Sequence, residues 1–208
     1  MADAIEIKSR GTDESAQVTS GNVHVDVKSN SPLAAGEAVI GLVGAKFVQK
    51  STSFTRPSDT TAYAAGDAIS NSTSSPSAFQ ISGLARANGG RVFITNIKVT
   101  TSANQSTPAS LLLFLFKINP TRNNDNAAYA PIDNDLETNL IKVIPLSLSN
   151  PGNRTSGAGG NRVYDAEIAH GFVCTANDDS VYPQLVVDNA YTPVSAEKFL
   201  IEIGAFQL

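Results

Sequence analysis

Few side chains in this sequence have the type and spacing for chemistry. A zinc site or a general base calls first for histidine and cysteine, yet His24 and His170 sit in unrelated contexts and no Cys/His spacing matches a zinc motif. His170 precedes Gly171 at a strand edge and reads as a hydrogen-bonded structural histidine. Cys174, the single cysteine, has no neighbouring His or Lys to lower its pKa and reads as a buried, inert thiol. Asp133, Asn134, Asp135 and Glu137 are oxygen donors of the kind calcium takes. They lack the glycine and the distal bidentate glutamate of an EF-hand loop, and they read instead as a helix start capped by Asp133. Asp178 and Asp179 form an acidic turn. The glycines of 157–160 are followed by no Lys-Ser/Thr, so no phosphate loop is present, and no Gly-x-Ser-x-Gly presents a nucleophile. The expectation is no catalytic residue, no metal and no cofactor.

Composition narrows the function classes further. Net charge is −4, with 15 basic against 19 acidic residues, which leaves no electrostatic basis for wrapping nucleic acid. Only 16% of residues are charged, below the roughly 25% usual for soluble domains. Ser (22), Thr (16) and Asn (17) supply the polarity instead. Hydroxyls and amides cost less to desolvate than ions when surfaces dock, so this composition suits hydrogen-bonded interfaces. A lone cysteine allows no intrachain disulfide, and the first residues lack the basic and apolar regions of a secretion signal. The expectation is synthesis in a cytoplasm and no membrane partner.

The elements that would position any site are strands. The stretch 90–118 holds two apolar segments, 91–101 and 110–118, separated by the polar connection 102–109 (SANQSTPA), and they most simply pair as an antiparallel hairpin. Ile97 and Val99 alternate with polar residues, giving one dry face. The run 111–116 does not alternate, so it reads as a strand buried on both faces. Leu112, Phe114, Phe116 and Ile118 are assigned to the core. Leu111, Leu113 and Leu115, opposite, become candidates for a subunit contact. Further strands are expected over 45–55, 61–70, 78–85, 141–149, 163–174, 181–187 and 199–208, the last alternating through Phe199, Ile201, Ile203 and Ala205. One short helix near 133–140 completes an all-β, two-sheet β-sandwich of jelly-roll or Greek-key type over 45–208.

Residues 1–44 differ. They carry no aromatics and only short alternations, with Val23, Val25 and Val27 in one and Val39, Ile40 and Leu42 in a second apolar run. Such a segment buries too little apolar surface to order by itself. It is either a loosely attached terminus or an extended arm that orders on a partner or lattice, and those six residues are its candidate contacts.

Several segments together resemble virion structural proteins of tailed bacteriophages. The first is 54–69 (FTRPSDTTAYAAGDAI), followed by 85–90 (ARANGG), the apolar strand 111–116, 125–131 (DNAAYAP), 140–144 (LIKVI) and 191–197 (YTPVSAE). The resemblance covers about residues 54–208 and is similar in kind to jelly-roll head decoration, or cement, proteins. It implies a non-enzymatic protein that binds and stabilises a lattice of major capsid protein, self-associates as a dimer or trimer, and sits on the capsid surface. No small-molecule substrate comes with it. The alternative is another virion position, a tail or fibre-base adaptor or a host-surface carbohydrate-binding module. A hydrolytic jelly roll would need converging acidic or aromatic residues, and the Phe and Tyr pattern offers none.

Overall fold

The computed structural model describes residues 18–19, 22–23, 44–103, 109–146 and 162–208. The chain divides into two units, Met1–Val43 and Gly44–Leu208. In the first, β1 (Val18–Thr19) and β2 (Asn22–Val23) pair antiparallel, with Val18 opposite Val23. Of the arm candidates, Val23 is described only as part of β2. Val25, Val27, Val39, Ile40 and Leu42 lie outside the described residues, as do His24 and the glycines of 157–160.

The second unit is built on eight described strands: β3 (Lys46–Thr55), β4 (Ala68–Ile69), β5 (Arg91–Thr101), β6 (Leu111–Phe116), β7 (Leu140–Leu146), β8 (Arg162–Val173), β9 (Tyr182–Val187) and β10 (Lys198–Gln207). They form two four-stranded antiparallel sheets, in the orders β3-β10-β5-β8 and β4-β9-β6-β7. Within this unit the first strand pairs with the last, the second with the seventh, the third with the sixth and the fourth with the fifth. That is a long antiparallel ribbon folded at its middle and wound into a sandwich, the jelly-roll topology.

Hydrophobic periodicity places the strands of the first sheet well. Phe199, Ile201, Ile203 and Ala205 of β10 and Val92, Ile94, Ile97 and Val99 of β5 all enter the core. The parity of β5 changes at Thr95, where a bulge shifts the register between Ile94 and Asn96.

Three expectations need correction. First, the two apolar segments of 90–118 do not form a hairpin. β5 lies between β10 and β8, and β6 between β9 and β7, so they belong to opposite sheets. The polar connection bridges layers that stack about 10 Å apart, and nothing in its composition distinguishes a crossing from a turn.

Second, Leu111, Leu113 and Leu115 are fully buried in the core between the sheets and cannot be a subunit contact. Leu112 and Phe114 face outward instead and are half-buried. A strand apolar on both sides carries no sign in its pattern. Here the outer side is dry because the segment between β6 and β7 covers it, with Tyr129 meeting Phe114 edge-on at 5.0 Å.

Third, segment 78–85 is not a strand. It makes a single bridge, Ile81 to Val181, although Phe79, Ile81 and Leu84 are all buried. Segment 61–70 contributes only β4 and two isolated bridges, Tyr63 to Tyr191 and Asp67 to Ala128. The short helix is one π-turn, Asp135–Asn139, and no side chain caps it.

Candidate interaction surface

Of the described residues singled out for chemistry, Cys174, Asp135, Asp178 and Asp179 are held by the structure, while Asp133, Asn134 and Glu137 are exposed. Cys174 is buried, its thiol 3.9 Å from the Ser180 carbonyl oxygen, and burial together with Asp178 and Asp179 pushes it up to about 11. Asp135 is buried and accepts the Thr121 N–H at 2.9 Å, which ties the covering segment to the helical turn. Asp178 accepts the Tyr182 hydroxyl at 2.7 Å, and Asp179 accepts the Gly83 N–H at 3.0 Å. His170 stands opposite Ile94 in the ladder, half-buried. Among the described residues, no three of His, Cys, Asp and Glu are grouped to hold a metal ion. A groove of about 1060 Å³ follows the β5–β8 bulge past Thr95, Asn96, Asp165 and Glu167. Its described lining has two carboxylates and no histidine, cysteine or cation.

Three of the segments that carry the resemblance, 54–69, 125–131 and 191–197, meet in one buried clamp, which sequence reasoning missed. Arg56 donates through Nε to the Tyr63 hydroxyl at 2.9 Å and through Nη1 to the carbonyls of Asp59 (2.7 Å) and Val194 (3.3 Å). Its Nη2 donates to Asp59 Oδ1 at 3.1 Å and to Asp125 Oδ2 at 3.0 Å. Tyr63 closes the ring by donating to Asp125 Oδ1 at 2.6 Å, and the Ser70 N–H donates to the same oxygen at 2.9 Å. Tyr63 in turn stacks on Tyr191 at 5.2 Å between ring centroids. Three stretches far apart in sequence are thus pinned by charge-assisted hydrogen bonds in a dry site. A chain of Arg, Asp, Tyr and Asp was the available signal, but their partners are set only by the winding of the ribbon. Burial opposes the Arg56 charge, yet its bonds to Tyr63 and the nearby Asp125 carboxylate raise its pKa above the usual value. Burial raises the Tyr63 hydroxyl as well. Arg56, Tyr63 and Asp125 are bonded within the clamp, and Asp59 at its rim is 36% exposed.

The outer faces of the two sheets are treated differently. Arg122, on the segment covering β9-β6-β7, donates to Pro183 O at 2.7 Å and Gln184 Oε1 at 3.0 Å and lies over the Phe79 ring at 5.2 Å. Gln184, outward in register, is fully buried beneath it. Burial draws the Arg122 guanidinium down to about 10. On this covered side Ile118, Ile132 and Leu136, with Val143 of β7, project into solvent.

The outer face of β3-β10-β5-β8 instead carries a row of aromatics. Phe206 of β10 stands opposite Phe47 of β3 and Phe93 of β5, one ring per strand. Phe47 is 51% exposed and meets Phe206 edge-on at 5.4 Å. The row ends at Gly171 of β8, opposite Phe93. Gly204 serves the same surface: a Cβ there would lie 2.1 Å from Asn96 Oδ1 and 3.1 Å from the Phe47 ring. Val173 and Leu208 continue this end, 49% and 55% exposed, with the exposed Arg91 opposite Val173. Toward the other end the face turns polar, with Lys98 paired to Glu202 and Gln49 bonded to Glu202 at 3.1 Å.

All four sheet edges are blunted against strand addition. β4 has two residues, β7 carries Pro145, β8 is bulged, and β3 holds the exposed Lys50 on its core-facing side, opposite Ile203.

No family model matches the chain, and no curated protein is similar to it. Among solved structures it is similar to a chain of a marine algae virus of the order Picornavirales, at 14% identity over 100% of this chain and 91% of that one, with a TM-score of 0.31. A chain of mud crab dicistrovirus matches at 10% identity, over 100% and 88%, with a TM-score of 0.26. The jelly roll of this chain rests on its own strand pairing.

Proposed function

We propose that this protein is a non-enzymatic structural component of a virion, specifically a capsid decoration or cement protein that binds the lattice of major capsid protein. One observation carries the reading: large apolar side chains stay exposed on faces of a body with blunted edges, while Asp135, Asp178 and Asp179 are spent on holding loops. A surface binder repeated by symmetry needs that economy, since many shallow contacts supply avidity that no single site has. The likeness of 54–69, 125–131 and 191–197 to phage virion proteins supports it, because the same residues build the clamp that stiffens the body. The side carrying Ile118, Ile132, Leu136 and Val143 is the lattice-facing surface in this reading. Residues 1–44 are the arm that engages a neighbour.

The test adds purified protein to assembled heads that lack it. Saturable co-sedimentation and a higher disruption temperature are expected, both weakened by Ile132→Asp with Leu136→Asp. No binding, or labelling confined to the tail vertex, overturns the reading in favour of an adaptor.

A further inference from the structure

We infer that the outer face of β3-β10-β5-β8 is a self-association surface whose occupant is the same face of a second copy of this chain. This stands on different residues from the lattice-facing side and does not depend on the capsid reading.

The two outer faces differ in one decisive respect. The chain covers one with its own segment, burying even Gln184, but leaves Phe47 and Leu208 more than half exposed on the other. An apolar aromatic row facing water is the mark of an interface. Strand addition is not its route, because every edge of both sheets is blunted.

The register makes the row self-complementary. Phe206 is its centre, flanked by Phe47 on one neighbouring strand and Phe93 on the other. A two-fold axis running along β10 lays Phe206 on its own mate and Phe47 on the partner subunit's Phe93, as an isologous contact requires. That axis also overlays apolar end on apolar end, so Leu208 meets its own mate. An axis at right angles, along the row, would instead turn Leu208 toward the polar end where Lys98 and Glu202 pair. The size is that of a small interface. About an axis along β10 only β3, β10 and β5 oppose their mates while β8 overhangs, and three strands about 4.8 Å apart and about ten residues long, at about 3.3 Å each, overlap over roughly 500 Å². A standard interface takes about 800 Å² per partner, and the side chains on the face add to its flat area.

The experiment is sedimentation equilibrium on the full chain across a concentration series, with thermal melting as the folding control. Wild type is expected to dimerise. Phe206→Asp should weaken dimerisation by more than about 30-fold, the loss of one central hot spot, at an unchanged melting temperature of the monomer. Geometry is read with a short bismaleimide linker, since faces stack about 10 Å apart, too far for a direct disulfide. Phe206→Cys should link to itself. Phe47→Cys and Phe93→Cys should link to each other in a mixture and not to themselves. A wild-type monomer at all concentrations overturns the proposal, as does a trimer, a Phe206→Asp dimer as tight as wild type, or the wrong cross-linking pairs. A monomer whose Phe206→Asp form loses head binding overturns it too and hands the face to the lattice. Phe206→Leu, which keeps the face apolar, is the check should Phe206→Asp not fold: it should dimerise, and a monomer at concentrations where wild type is dimeric would count against the assignment.

Discussion

Arg56 Nη2 lies 3.0 Å from Asp125 Oδ2 across 69 residues of chain, and neither side chain retains any exposed area. The pair joins the loop after β3 to the segment that covers the second sheet, through groups whose desolvation is offset only while both are present. Breaking a buried ion pair from one side leaves a charge in a dry site, which costs about 3–5 kcal/mol. Arg56→Met and Asp125→Leu should each lower stability by that order in urea denaturation, and Tyr63→Phe by about 1–3 kcal/mol through its unmade bond to Asp125. The double variant Arg56→Met with Asp125→Leu should lose clearly less than the sum of the two. Additive losses would show that the pair is not coupled.

The inward placement of Leu111, Leu113 and Leu115 predicts asymmetric alanine substitutions along neighbouring strands. Leu113→Ala empties a fully buried site and should cost about 2–5 kcal/mol. Val143→Ala, on the exposed outer side of β7, should change stability by less than about 0.5 kcal/mol. Equal losses in denaturant titrations would contradict the facing of β6.

Stability should fall at both ends of the pH range. Burial alone would raise Asp59 and Asp178, but hydrogen bonds outweigh it: Thr61 N–H and Arg56 hold Asp59 below its ordinary value, and Ser180, Tyr182 and the Asp179 N–H do so for Asp178. A depressed carboxyl stabilises the fold above its unfolded pKa, about 4, and that contribution is lost as pH falls through the folded value. Asp178→Asn should shallow the acid limb. On the alkaline side, burial pushes Tyr164 and Tyr182 up to about 12. A raised tyrosine stabilises fully below its unfolded pKa near 10, and the contribution is lost as pH rises through 12. The Cys174 thiol, raised to about 11, begins to lose its contribution at its unfolded pKa near 8.5, so melting temperatures from pH 2 to 12 should plateau between about 4 and 8.5.

Cys174 provides a probe of global opening. Its buried thiol, raised to about 11 and bounded by two aspartates, should react with Ellman's reagent at pH 8 only at the rate of unfolding. Rapid labelling of the folded protein would contradict the burial.

Gly204 is where a side chain cannot enter cheaply. Gly204→Ala places a methyl against Asn96 and the Phe47 ring and should lower the melting temperature while disturbing the aromatic row. A neutral outcome, read by calorimetry, would mean that Asn96 swings clear at no cost.

Much of the fold was legible in the letters because strands with one wet face declare it. The alternation in 199–208 and the dry face through Ile97 and Val99 are set by the period-two geometry of the backbone, and both enter the core as read. Cys174 is buried, as its reading as a core thiol expected. What the letters left open was every relation without a local signature. A run of apolar residues such as 111–116 has no preferred side, so only the covering segment with Tyr129 and Arg122 decided which leucines turn inward. The connection 102–109 reads alike as a turn or a crossing, and strand pairing is chosen by the whole winding. The same holds for Arg56, Tyr63 and Asp125, whose partnership exists only once first strand meets last and second meets seventh. The aromatic row of Phe47, Phe206 and Phe93 likewise arises from register between distant strands. Periodicity is a property of neighbours in sequence and survives in the string; adjacency across a sheet is a property of the closed ribbon and does not.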